Sequence, residues 1–353
     1  MLASLFRIII FNEVGIMLSE LEKISDRDDC AIILYARLWQ LEKWLREMVY
    51  VELKTKKGKN WFKFTTTKKT YEEDKLLTHI ATTDDNPLGY ITFPELLKII
   101  GNNWGLFSCY LPPRNIWEVK VIEIIHIRNR IAHFRSTNKY DIDRLIQFLR
   151  DIDKGLWVFC TDYNDLHPIL PPERDVVAKK YLDLDPFSFK EIAPNQWARV
   201  GVAPRELSYT LSINFMKRKW AEDTKEIAGV AGYIYDVSII LRNDKIFKYN
   251  ELLSGIRKFK RELIHVCLDA LSDSIRVTIP AVIGVDTVCN IIDGLIDAVD
   301  NSITLSILRD KDKNAVHKLS NEWPEYVLGP QNPLTYLCHD MPCSFFNVDK
   351  EDK

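Results

Sequence analysis

The sequence predicts an α+β protein in two parts: an N-terminal all-α helical bundle, then a C-terminal α+β domain with a small, mostly antiparallel sheet. Three observations carry this. Apolar residues recur at helical spacing up to about residue 157. Pro168, Pro171, Pro172, Pro186 and Pro194 then fall in a stretch with little periodicity. Beyond it the apolar period drops to two.

In chain order, residues 1–24 read as a packed N-terminal segment. "MLASLFRIIIFNEVGIML" is interrupted by Arg7, Asn12 and Glu13, and no small-residue cleavage site follows. "SDRDD" (25–29) supplies a cap and first-turn acids for a helix over about 28–54. Leu34, Leu38, Leu41, Leu45 and Met48 mark its buried face, and the pairs Glu42/Arg46 and Lys43/Glu47 its solvated one. A short helix is expected at 71–81. "TFPELLKIIG" (92–101) starts a helix with Thr92 and Glu95 at capping-box spacing and ends on Gly101. Helices over about 114–135 and 141–157 complete a bundle spanning 25–160. Residues 161–195 are expected to be a proline-rich linker. Strands follow at 206–215, 233–241 and 275–279, where alternate positions are apolar, with helices at about 249–270 and 286–300. The α+β domain covers 196–345, and 346–353 is expected to be a disordered tail.

Composition sets outer limits. The formal charge is −2, so any attraction to nucleic acid must be local. Seven irregularly spaced cysteines read as reduced thiols, which points to a cytoplasmic protein. No run has the uninterrupted apolar length of a membrane span. There is no Walker pattern or dinucleotide-type glycine loop.

One stretch stands out, "IIHIRNRIAHFRS" (124–136). At about 100° per residue, His126, Asn129, Arg130 and His133 share one stripe of a helix. Arg128 falls instead with Val121, Ile124, Ile125 and Ala132. A guanidinium on that apolar side needs a cleft or a carboxylate, and Glu42, Glu47, Glu118 and Glu123 are the candidates. Spacing alone also fits an interface or a solvated edge.

"RNRIAH" (128–133) resembles the R-x-x-x-x-H signature of the HEPN family of helical ribonucleases and RNA-binding domains. The resemblance covers about residues 25–160. Its context is the long aromatic-bearing helix "YARLWQLEKWLREMVY" before the signature and "YDIDRL" after it. It implies a metal-independent endoribonuclease without a cofactor, acting as a toxin or an anti-phage effector. It also implies a homodimer, formed by the bundles, in which two signature helices face one cleft. Arg128, Asn129 and His133 match the family's site positions. The residue types suit the chemistry. An imidazole near neutrality can move the 2′-hydroxyl proton, and a guanidinium can hold the phosphate oxygens. The products would carry a 2′,3′-cyclic phosphate and a 5′-hydroxyl. Arg130 is an alternative phosphate ligand, because Arg128 sits about 140° from His133 on an ideal helix. His126 and Glu42 are accessory candidates.

The stretch 53–70 holds seven lysines, three aromatics and no acid. Lys56, Lys57, Lys59, Trp61 and Lys63 are candidate RNA contacts, lysines on phosphates and the ring on a base. "CHDMPC" (338–343) lacks the four ligands of a zinc site, so no metal is expected. "HVCLDALSDS" (265–274) reads as core helix. The rival to the nuclease is a non-catalytic RNA-binding or protein-interaction scaffold. The C-terminal domain is expected to sense a trigger, bind an antitoxin or fix the dimer.

Overall fold

The computed structural model describes residues 23–62, 68–77, 79, 86–194, 196–202, 206–305 and 313–348. Most of the expected N-terminal segment, Lys63 and residues 349–353 lie outside these. Helix α1 runs Asp29–Lys57 and opens where the Asp28 carboxylate accepts the Ala31 N–H. The expected stripe from Leu34 to Met48 is buried. From Met48 to Thr55 every residue is buried, charged ones included, because this half of α1 lies between other helices and a sheet.

Helix α2 (Lys68–Lys75) is shorter than expected. Helix α3 (Phe93–Asn102) has the expected Thr92–Glu95 capping box, but it passes through Gly101 and ends at Asn103. After the single-turn α4 (Trp104–Phe107) comes α5 (Arg114–Ala132), which buries Trp117, Val121, Ile124 and Ile127. Helix α6 (Lys139–Tyr163) starts at an Asn138 cap and runs two turns beyond the expected end. It crosses the Tyr110 carbonyl so closely that a Cβ at Gly155 would lie 1.7 Å from that oxygen, so only glycine fits there.

A small hairpin pairs β1 (Phe189–Ala193) with β2 (Gln196–Arg199). The main sheet then takes β3 (Tyr209–Lys217) and β4 (Tyr233–Leu241). After β5 (Lys245–Phe247) and α7 (Tyr249–Ile256) it adds β6 (Val266–Leu268) and β7 (Ser274–Pro280). Helix α8 (Val285–Ser302), β8 (Ile303–Leu305), α9 (Lys313–Asn321), β9 (Val327–Leu328) and α10 (Pro333–Tyr336) follow. The sheet order is β3-β4-β7-β6-β9, antiparallel except where β6 meets β9.

Strand alternation explains the layers. Ile213, Val237, Val277 and Val266 are in register and face the core containing the buried side chains of α7 and α8. Met216, Ile234 and Cys267 face the opposite way and join the core of the helical region. The polar residues of that second face meet α1 and α6. Tyr163 on α6 shares its hydroxyl with Thr278 (2.6 Å) and His265 Nδ1 (2.8 Å). Arg276 pairs with Asp236 and donates to the Tyr163 carbonyl at 2.6 Å. Arg218, fully buried after β3, donates to Glu52 of α1 through Nε at 3.0 Å, and Trp220 Nε1 donates to the other Glu52 oxygen at 2.6 Å.

Three expectations need correction. The helix expected at 249–270 stops at Ile256. Residues 266–268 form β6, because β7 and β9 offer hydrogen-bonding partners on both sides. The stretch 161–195 is not a free linker. Residues 161–163 belong to α6, and Val177 and Tyr181 are buried in the core behind the sheet. The segment expected to be a disordered tail is docked as far as residue 348. Asp153 accepts the Phe345 and Phe346 N–H groups at 2.9 and 2.6 Å, and Phe346 is buried in the helical core. Among the described residues, no helix is long and apolar enough to cross a membrane.

Replacing Arg218 with Met leaves Glu52 charged and buried, and we expect a loss of about 3–5 kcal/mol in urea unfolding. The double variant Glu52→Leu/Arg218→Met should recover most of that loss. Equal losses in both would mean that the pair is not what stabilises this junction.

Candidate functional site

The signature lies at the C-terminal end of α5. His133 is the C-cap (φ −107°, ψ 19°), and Phe134 follows in the left-handed region at φ 52°. The Arg135 N–H reaches the Arg130 carbonyl (2.9 Å) and the Phe134 N–H the Ile131 carbonyl (3.1 Å), which together make a Schellman end. That position normally takes glycine. Here a phenylalanine occupies it, 99% exposed, so the helix end carries strain on the order of 1 kcal/mol. His133 is itself exposed.

Arg128 lines a groove of about 590 Å³ between α5 and α1, shared with Tyr35, Trp39, Lys43 and Arg46. The four carboxylates expected to neutralise it are engaged elsewhere. Glu42 pairs with Arg46, Glu118 with Arg114 and Glu123 with Arg144. Glu47 Oε1 lies 2.8 Å from His265 Nε2, though out of hydrogen-bonding alignment. Among the described residues Arg128 has no hydrogen bond or ion pair. It meets the alternative requirement, a cleft. Lys43 lies 5.2 Å from the exposed Trp39 ring, so the groove offers cations and an aromatic surface together, alongside the carboxylates of Glu42, Glu47 and Glu325 that also line it.

Arg130 has a different role. It pairs with Asp141, a 3%-exposed carboxylate in the first turn of α6, and so ties the two helices together. This makes Arg130 a poor phosphate ligand, since binding a phosphate would strip a buried charge of its partner. His126 and Asn129 line an open depression of about 740 Å³ on another flank of α5, with Lys120, Arg135 and Arg144. The stripe continues toward the N-terminus as Val119 and Ile122, 69% and 56% exposed. Arg128 and Asn129 therefore line different surfaces, and His133 lines neither. One chain does not gather the three signature residues into one pocket.

The lysine stretch also divides. Lys56 and Lys57 belong to the last turn of α1, and Lys59 to a 3-10 turn. All three are exposed. The Lys56 ammonium lies 5.6 Å from the Trp220 ring. Trp61 is 9% exposed and packs edge-on against Tyr50 at 5.2 Å, so it is not the open stacking platform the sequence suggests. Lys63 lies outside the described residues. His265 sits just before β6, its ring held by the Tyr163 hydroxyl, rather than on a core helix, and His339 Nε2 approaches Asp162 at 3.7 Å.

Sequence reasoning missed Lys54. It is 2% exposed and donates to the Tyr50 hydroxyl at 2.8 Å. Burial lowers its pKa to about 7, against the weaker opposing pull of Glu262 and Glu47. Its signal was a lysine one helical turn from Tyr50, on a stretch of α1 with no solvated face. Between about pH 7 and 10 the unfolded chain holds a proton on Lys54 that the folded chain has released, so stability rises with pH through that window. We expect Lys54→Met to raise the melting temperature at pH 7 and the advantage to shrink toward pH 10. Thermal melts across that range check this, and a pH-independent difference would contradict it.

Compared with known proteins, the chain matches no family model, no curated protein and no solved structure, so the HEPN resemblance rests on its own residues.

Proposed function

We propose that the chain is a metal-independent endoribonuclease of the HEPN type, acting as a toxin or an anti-phage effector. The observation that carries this reading is Arg128. Its guanidinium stands in an open groove, without a partner among the described residues, on the same helix end as an exposed His133. A guanidinium between helices that forms no ion pair of its own, although Glu42, Glu47 and Glu325 line the same groove, can turn to an incoming phosphodiester.

In this reading the 2′-hydroxyl of the RNA attacks its own phosphate. His133 takes that proton or gives one to the leaving 5′-oxygen, Arg128 stabilises the equatorial oxygens, and Asn129 orients the imidazole or the phosphate. The separation of Arg128 from His133 within one chain calls for a second copy. Pairing along the Val119–Ile122–His126–Asn129 stripe would cover its exposed apolar side chains and bring two helix ends to one cleft. The α+β region would then bind the trigger or antitoxin.

A second reading, a non-catalytic RNA-holding or protein-interaction module, draws on the same separation. A groove with cations and Trp39 can hold a strand without cutting it.

Incubation of single-stranded RNA with the protein in excess EDTA separates the two. Cleavage should persist, yield 2′,3′-cyclic phosphate ends, and fall 100-fold or more, roughly, in His133→Ala and in Arg128→Ala. Arg130→Ala should instead lower the melting temperature. Retention of RNA without cleavage would establish the holding module, and cleavage abolished by EDTA would overturn the metal-independent mechanism.

A further inference from the structure

A second cavity, about 520 Å³, lies at the far end of α1, where the last turns of that helix meet the segment after α7. Pockets of roughly 300–1,000 Å³ hold drug-sized ligands. One wall is aromatic: Tyr50, Trp61 and Phe62, with Phe62 tilted 5.4 Å from Trp61. The cationic part is graded in depth. Lys54 is 2% exposed at the inner end, and Lys59 and Arg261 are exposed at the mouth.

The inner end is built rather than incidental. The Lys54 ammonium donates to the Tyr50 hydroxyl at 2.8 Å and to the Lys260 carbonyl at 3.4 Å. The Tyr50 hydroxyl in turn donates a hydrogen bond to the Ile264 carbonyl at 2.8 Å. Two of the three ammonium donors are thereby assigned, and among the described residues no carboxylate forms an ion pair with it. Below about pH 7, where Lys54 keeps its proton, a buried ammonium hydrogen-bonded only to neutral oxygens at the end of a pocket is a receptor for an anion, and a bound anion would hold that proton to higher pH. The aromatic wall adds a flat apolar surface for a ring. Glu72 and Glu325 also line the cavity and supply acceptors for hydroxyl or amino groups.

We propose that this cavity binds a nucleoside phosphate, its phosphate toward Lys54, its base against the half-buried Phe62, with Lys59 and Arg261 closing the mouth. Asn86 and Glu325 line both this cavity and the Arg128 groove, so the two adjoin along α1. The ligand is therefore either a free nucleotide or one unit of a strand that continues toward Arg128. The site itself does not depend on the ribonuclease reading.

The test is calorimetric titration of the full chain. The ligands are the four ribonucleoside 5′-monophosphates, their triphosphates, inorganic phosphate and a single-stranded RNA octamer. At least one nucleotide or the octamer should bind. Binding should weaken tenfold or more in Lys54→Met and in Arg261→Glu, a surface change that checks the site without altering its interior. Inorganic phosphate at the same concentration should not compete. A mononucleotide that binds, with affinity unchanged by Arg128→Ala, identifies the free ligand. Binding of the octamer alone, weakened also by Arg128→Ala, identifies the strand. Nucleotide binding by a chain that cuts no RNA upholds the site while removing the nuclease. No binding by any nucleotide or the octamer, or binding unmoved in both variants of the cavity, overturns the proposal.

Discussion

A buried ion pair sets the geometry of this protein. Arg218 and Glu52 are both fully buried, and Trp220 and Tyr110 add hydrogen bonds to the pair, Tyr110 at 3.0 Å from the guanidinium, while Arg218 Nη1 has no partner among the described residues. The pair fixes the rotation and height of α1 against the β3 end of the sheet. That placement decides which α1 side chains are sealed and which open into grooves. Trp39, Lys43 and Arg46 line one hollow and Tyr50 and Lys54 the next, successive positions along one stripe of α1.

The sheet is served from both sides. On one face it carries an ordinary hydrocarbon core with α7 and α8. On the other, Asp236, Arg276, Thr278 and His265 mix with apolar neighbours and meet α1 and α6 through specific bonds. Polar contacts of that kind have one good register, whereas a purely oily contact has several. The helical region is therefore held in a single orientation over the sheet, and the two parts separated at the sequence level share a bonded interface.

Much of this was legible beforehand. The Leu34–Met48 stripe, the Thr92–Glu95 box and the alternation in β3, β4 and β7 are local patterns, and local patterns survive folding. What failed to read depended on distant chain. Residues 266–268 become a strand because Val327 and Leu328, some sixty positions later, pair beside them. The stretch from 346 looked polar and loose, but Asp153 accepts the amides of Phe345 and Phe346 where it begins. The signature residues were picked out by their resemblance to the R-x-x-x-x-H pattern, and Arg130 could be distinguished from Arg128 only once Asp141 was seen paired with it. Lys54 was hidden within a lysine run whose described neighbours Lys56, Lys57 and Lys59 are exposed.

The docking of residues 345–348 has an implication for how the molecule is made. Phe345 packs edge-on against Trp44 at 4.8 Å, Phe346 fills the helical core, and Arg37 binds the Phe346 carbonyl at 2.8 Å. During synthesis the helices emerge first, yet a plug for their core arrives about three hundred residues after Arg37. Until then Trp44 and the Asp153 carboxylate lack their partners. The early half of a nascent chain thus waits, incompletely sealed, and reaches its final packing only when the ribosome has passed residue 346.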